Sequence, residues 1–165
     1  MHAHSPARRH DSKAALYADL VEQANALFEG EHDYVANAAN LSALLFNNLP
    51  HLNWAGFYFL KEEGLVLGPF QGKPACVRIA VGKGVCGTAA RDRRTIVVKD
   101  VHEFPGHIAC DSASNSEVVV PIVAGGKVIG VLDLDSPLVN RFDDSDARGL
   151  EAVVQAFVAA TDIEG

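Results

Sequence analysis

Apolar residues recur at intervals of three and four in three segments of the chain, and this periodicity predicts three amphipathic helices. The first helix runs from a cap at Ser12 to about Phe28, the second covers residues 33–49 and the third covers residues 142–161. Pro50 stops the second helix, because proline cannot continue one. The residues predicted to face inward are Val35, Ala38, Leu41, Leu44 and Leu45 on the second helix and Leu150, Val153, Val154, Phe157 and Val158 on the third.

Short apolar and alternating runs between these helices predict β-strands. The predicted strands cover residues 54–60, 65–70, 76–80, 95–98, 118–123 and 127–134, with hairpins joining the first two and the last two. A glycine-rich segment, residues 81–87, matches neither common phosphate-binding spacing, so we interpret it as a tight turn into a short helix. The order of elements predicts one α/β (α+β) domain over residues 11–165, in which helices flank a central mixed or antiparallel sheet. Residues 1–10 are predicted to form a flexible N-terminal tail.

Length and charge narrow the class of protein. The chain has 165 residues, which fits one domain, and its formal net charge of −7 argues against nucleic acid and anionic membranes as partners. No apolar run approaches the ~20 residues that span a bilayer, and no signal-peptide core follows the N-terminus, so we expect a cytoplasmic protein. The chain has three cysteines and no CxxC pair. This pattern is consistent with buried, unreactive thiols or with redox-active cysteines in a reducing compartment.

Cys110 lies in the most irregular stretch of the sequence, residues 100–117. Loops this long in a compact domain are usually functional or disordered, and a loop cysteine has no packing role to explain it. A thiol of ordinary pKa is mostly protonated at neutral pH, so a catalytic Cys110 requires surroundings that lower its pKa. Cys76 and Cys86 are both candidate partners for a disulfide, and the residues alone leave that choice open.

Acidic residues interrupt the end of the last predicted strand. Asp133 and Asp135 are two residues apart on a strand, so both side chains point to one face. Glu117 lies about as far before the hairpin turn as Asp133 lies after it, so it joins them if the hairpin is in register. We therefore predict a shared acidic site, against the simpler interpretation of a strand end that reaches water.

Taken together, these motifs resemble the free methionine-(R)-sulfoxide reductases, which are stand-alone GAF-domain enzymes. The resemblance rests on Asn53–Tyr58, Leu67–Gly72, His107–Asp111, Ser114–Glu117 and Gly130–Ser136. It also rests on the spacing of Cys76, Cys86 and Cys110, and it covers nearly the whole chain beyond the tail. The resemblance implies a GAF-like fold and the reduction of free methionine (R)-S-oxide, with no bound cofactor and no metal.

The same resemblance implies a mechanism and its residues. Cys110 attacks the sulfoxide and becomes a sulfenic acid, Cys76 (or alternatively Cys86) condenses with it to a disulfide, and thioredoxin reduces that disulfide. Glu117 or Asp135 would protonate the leaving oxygen, and Asp133 with its acidic neighbours would bind the substrate ammonium. Trp54 would form an apolar wall for the substrate methyl group, and the family suggests a homodimer. The competing interpretations are a ligand-binding sensor domain and a structural dimerisation module.

Overall fold

Four helices form where the sequence predicts them. A computed structural model describes residues 10–106 and 113–163. In the described residues α1 covers Lys13–Phe28, α2 Tyr34–Asn48, α3 Gly84–Asp92 and α4 Asp144–Ala160. The caps follow from side chains that accept hydrogen bonds from the first turn: Ser12 accepts from the Ala15 amide, and Asp33 accepts from the Ala36 amide.

The inward face of α2 differs from the prediction at one residue. Ala38, Leu41, Leu44 and Leu45 are buried as expected, but Val35 is 48% exposed. Val35 lies in the first turn of α2, where the neighbouring Tyr34 packs its ring against Phe59 of the sheet, with ring centroids 5.2 Å apart. On α4, Val158 is half-buried, and the other four predicted residues are buried.

The strands form a six-stranded sheet in which every neighbouring pair is antiparallel. The strands are β1 Trp54–Lys61, β2 Gly64–Gly72, β3 Arg78–Ile79, β4 Ile96–Val98, β5 Ser116–Ala124 and β6 Lys127–Ser136. Their order across the sheet is β3-β2-β1-β6-β5-β4, so β1 and β6 lie at its centre. The alternative of a mixed sheet is thereby excluded for the described residues.

Two predicted segments are shorter or more ordered than the sequence indicates. The strand expected over residues 76–80 is reduced to Arg78 and Ile79, which pair with β2, and the chain bends at Val77. In its described residues the irregular stretch 100–117 contains one 3-10 turn, Val101–Glu103, and it ends early because β5 already begins at Ser116.

The glycine-rich segment forms the tight turn that was expected. Gly82 and Gly84 have positive φ values of 87° and 63°, which glycine adopts without a steric cost. The Gly82 amide donates to the Gly87 carbonyl, and a Cβ on Gly87 would lie 2.3 Å from the Ala80 carbonyl oxygen. The turn thus presents α3, with Cys86 in its first turn, to the sheet.

The two faces of the sheet are covered differently. Helices α1, α2 and α4 pack on one face against a large apolar core that includes Phe57, Leu132 and Leu134. Helix α3 and the segment around β3 cover part of the other face, against a smaller cluster that includes Trp54, Tyr58 and Cys86. Among the described residues, no helix is long and apolar enough to cross a bilayer. Residues 1–9 of the predicted tail lie outside the described part of the chain.

Candidate active site

The acidic cluster is built by the pairing of β5 with β6. Glu117 lies directly opposite Asp135 in the ladder. Asp133 comes two residues before Asp135 on β6, so its side chain points to the same face. The sequence placed Glu117 level with Asp133. The ladder shifts by one residue between Ile122 and Val123, and this shift places Glu117 opposite Asp135 and on the same face as Asp133. The shift keeps all three carboxyl groups on the face that α3 covers.

Glu117 and Asp133 are both buried, with exposures of 6% and 5%. Their carboxyl groups are hydrogen-bonded to each other, and each also interacts with Asp135, which is half-buried. Two carboxyl groups bond only when one of them holds a proton. Burial raises the pKa of Glu117 well above its usual range, and the charge of Asp133 adds to this effect. The pKa of Asp133 is raised by burial and by the charge of Asp135.

One carboxylate oxygen in this cluster lacks a conventional donor. Asp133 Oδ1 is buried, and no amide, hydroxyl or basic nitrogen among the described residues hydrogen-bonds to it. Buried carboxylate oxygens are normally satisfied, so an orphan of this kind indicates a shared proton or a ligand that carries its own donors.

Cys86 completes the cluster from the opposite side. Its thiol is 4% exposed and hydrogen-bonds to Asp133. Burial raises the pKa of this thiol well above its usual range, and the charges of Asp133 and Glu117 raise it further. Cys86 is therefore a neutral hydrogen-bond donor and a poor nucleophile. The donor atoms of Cys86, Glu117 and Asp133 lie within 4.8 Å of one another, a grouping that could hold a metal ion.

Two aromatic residues of β1 form the wall beside the carboxyl groups. Trp54 is 3% exposed, stacks on Phe70 with ring centroids 5.2 Å apart and donates from Nε1 to the Lys73 carbonyl. Tyr58 stacks on Trp54 at 6.0 Å and donates its hydroxyl to the Cys76 carbonyl at 2.8 Å. Both rings line the cavity that Glu117, Asp133 and Asp135 enter. Trp54 is thus part of the apolar core and a wall of the cavity at once.

The chain is similar to proteins of known activity. The GAF domain family matches residues 35–162. The free methionine-R-sulfoxide reductase of Escherichia coli (strain K12) is 53% identical over 154 residues, which cover 92% of this chain and 93% of the relative. The chain belongs to the free methionine-R-sulfoxide reductase family.

Solved structures share the fold, and one of them is a reductase of this family. The free methionine-R-sulfoxide reductase of Neisseria meningitidis, in complex with its substrate, superposes with a TM-score of 0.91 at 42% identity, covering 96% of this chain and 95% of that one. A putative GAF sensor protein from Burkholderia vietnamiensis is 64% identical with a TM-score of 0.88, covering 91% of this chain and 96% of that one. The predicted GAF fold and membership of this oxidoreductase family are confirmed.

The cysteines of this family member differ in state. Cys76 is half-buried and disulfide-bonded, whereas Cys86 is a free thiol. Cys110 lies outside the described residues.

The cavity brings together five of the predicted site residues: Trp54, Cys86, Glu117, Asp133 and Asp135. The cavity is also lined by Ser114 and by Tyr58 and Lys83, and sequence reasoning gave no role to the last two. The signal for Tyr58 was present, because it lies four residues after Trp54 on a strand and so shares its face. Lys83 and Ser114 lie in turns whose positions only the tertiary fold defines.

Proposed function

We propose that this chain reduces free methionine (R)-S-oxide to methionine, with Cys110 as the nucleophile. The observation that carries the proposal is the buried carboxyl cluster with its orphaned Asp133 Oδ1, found in a chain of this family. Free methionine sulfoxide differs from a peptide-bound residue in carrying an ammonium group. A buried carboxyl oxygen without a donor can accept a hydrogen bond from such a cation, and the cation in turn favours the ionised form of Asp133.

Asp133 binds the substrate ammonium in this proposal. Its Oδ1 accepts from the ammonium, while Cys86 and Glu117 hold the carboxyl group from the protein side. A substrate without the charge leaves a buried carboxylate unpaired, which costs about 3–5 kcal/mol. That penalty excludes methionine sulfoxide within a peptide.

Glu117 or Asp135 supplies the proton that the departing sulfoxide oxygen needs. Glu117 is suited to this role because burial and the neighbouring charge raise its pKa, which favours the protonated form that a proton donor needs. Asp135 lies opposite Glu117 in the ladder and can return the proton between turnovers. Trp54 provides the apolar wall for the substrate methyl group.

The redox chemistry takes place on sulfur. The Cys110 thiolate attacks the sulfoxide sulfur, the oxygen passes to Cys110 as a sulfenic acid, and methionine leaves with its sulfur reduced by two electrons. A second thiol then displaces water from the sulfenic acid and forms a disulfide. We assign that thiol to Cys76, because Cys76 is disulfide-bonded and Cys86 is a buried free thiol bonded to Asp133.

Thioredoxin reduces the disulfide by thiol–disulfide exchange, and no bound cofactor takes part. This recycling requires a reducing compartment, so the proposal places the enzyme in the cytoplasm. A homodimer is proposed from the family resemblance alone.

The proposal is tested by following NADPH consumption with thioredoxin, thioredoxin reductase and free methionine (R)-S-oxide. Cys110→Ser should abolish methionine formation, because no other thiol becomes the nucleophile. Cys76→Ser is the matched control: it should still release one methionine per chain in a single turnover without thioredoxin. Methionine formation by Cys110→Ser would remove the assignment.

A further inference from the structure

The segment that carries Cys76 has no regular secondary structure of its own. Residues 73–77 connect the end of β2 to the two-residue strand β3. Three hydrogen bonds between described residues hold this segment on the sheet. Trp54 Nε1 donates to the Lys73 carbonyl at 3.1 Å, the Tyr58 hydroxyl donates to the Cys76 carbonyl at 2.8 Å, and the Leu67 amide donates to the Val77 carbonyl at 2.9 Å.

Two of these three donors are side chains of one strand face. Trp54 and Tyr58 lie four residues apart on β1, and both are buried, with exposures of 3% and 2%. Their rings stack at 6.0 Å, which fixes the direction of both donor groups. Tyr58 remains a neutral donor, because burial and the charge of Asp133 raise the pKa of its hydroxyl.

We propose that Tyr58 is a positioning residue for the disulfide-forming step, in which it holds the Cys76 backbone at the edge of the acidic cavity. This inference rests on the proposed function, since it assigns the resolving thiol to Cys76. In that step the Cys76 thiol attacks the Cys110 sulfenic acid, the S–O bond breaks, an S–S bond forms and water leaves. The rate of such a step depends on how far the attacking group is pre-positioned.

The geometry separates this role from substrate binding. The Tyr58 hydroxyl is engaged with a main-chain carbonyl of the Cys76 segment, while its ring faces the cavity. Tyr58→Phe keeps the ring and removes only the bond to Cys76. Losing one buried hydrogen bond corresponds to about a two- to tenfold change in an equilibrium or rate.

The experiment compares Tyr58→Phe with Tyr17→Phe as the matched control. Tyr17 also donates a buried hydroxyl, to Asp146 Oδ1 at 2.7 Å, but it belongs to α1 on the opposite face of the sheet. In a single turnover with free methionine (R)-S-oxide, methionine release and disulfide formation are timed separately, with a sulfenic-acid-specific nucleophile to trap the intermediate. In Tyr58→Phe, disulfide formation should lag methionine release about two- to tenfold more than in wild type, and trapped sulfenic acid should increase. Tyr17→Phe should show the wild-type ratio.

A second measurement keeps the inference testable apart from the reductase activity. The oxidised proteins are equilibrated with dithiothreitol, and the disulfide of Tyr58→Phe should be reduced at about two- to tenfold lower ratios of reduced to oxidised reagent. If wild type releases no methionine but this shift occurs, the proposed function fails and the positioning role stands. If disulfide formation keeps pace with methionine release in Tyr58→Phe, or the dithiothreitol equilibrium matches that of Tyr17→Phe, the positioning role is overturned.

Discussion

Successive residues of strand β6 point to opposite faces of the sheet, and the side chains on the two faces differ in chemical character. Leu132 and Leu134 point to the helix-covered face and are fully buried among apolar side chains of α1, α2 and α4. Asp133 and Asp135 point the other way, into a cavity shared with Glu117 and Cys86. One face buries hydrocarbon, which stabilises the fold, and the other buries carboxyl groups, which destabilises it.

This contrast explains how the domain tolerates its acidic site. A buried carboxyl cluster needs a scaffold that does not depend on it, and the three-helix face supplies one. The ladder register then fixes the positions of the carboxyl groups, because backbone hydrogen bonds hold Glu117 opposite Asp135. The two faces should therefore respond oppositely to mutation, one losing stability and the other losing activity.

The largest expected effect is on the acidic face. Asp133→Asn should lower kcat/KM for free methionine (R)-S-oxide by about 10²–10³-fold, because the buried cation loses its charged partner. The free energy of unfolding should stay the same or rise, since an orphaned carboxylate is removed. Steady-state kinetics and urea unfolding of the same preparation check both parts. Asp144→Asn, at an exposed position in the first turn of α4, serves as the control. A large loss of stability in Asp133→Asn would show that the cluster is structural.

The next largest effect is expected on stability, from a substitution on the apolar face. Leu132→Ala should lower the free energy of unfolding by about 2–5 kcal/mol, because it opens a cavity in the main core. KM for the substrate should remain near wild type below the melting temperature, since Leu132 points away from the site. Urea unfolding measures the first quantity and kinetics at low temperature the second. A KM shift as large as that of Asp133→Asn would mean that the two faces are coupled.

The pH dependence of stability should also separate the faces. Glu117 has a raised pKa in the folded state, so the folded chain keeps a proton that the unfolded chain loses as pH increases. Its contribution is fully present below the unfolded pKa of about 4.3 and is lost as pH rises through the folded pKa, by at most about 1.4 kcal/mol per pH unit. Urea unfolding over a pH series should show this decline, and Glu117→Gln should flatten it. If the free energy of unfolding of Glu117→Gln declines with pH as steeply as that of wild type, other groups cause the decline.

The smallest expected difference is in the rate of thioredoxin-linked cycling between variants of Cys76 and Cys86. Cys76→Ser should slow thioredoxin-linked cycling about tenfold or more, as expected when a positioned thiol is removed. Cys86→Ser keeps a hydrogen-bond donor to Asp133 and should slow cycling less. NADPH consumption at saturating substrate compares the two variants. Equal or reversed effects would transfer the resolving role to Cys86.

The sequence predicted those features that depend on local rules. The helix cap at Ser12 depends on a side chain next to its own helix, and the shared face of Asp133 and Asp135 depends only on strand alternation. The pairing of Glu117 with Asp135 was missed because it depends on a ladder shift at Ile122, where the local residues give no signal. The exposure of Val35 and the bond from Tyr58 to Cys76 depend on how distant segments pack.

The central claim is that Asp133 receives the ammonium group of a free amino acid. The most direct measurement compares kcat/KM for free methionine (R)-S-oxide and for its N-acetyl derivative, in wild type and in Asp133→Asn. We expect wild type to prefer the free substrate by more than about 10²-fold, and Asp133→Asn to lose most of that preference. An equal preference in both proteins would contradict the account, because the discrimination would then arise elsewhere in the cavity.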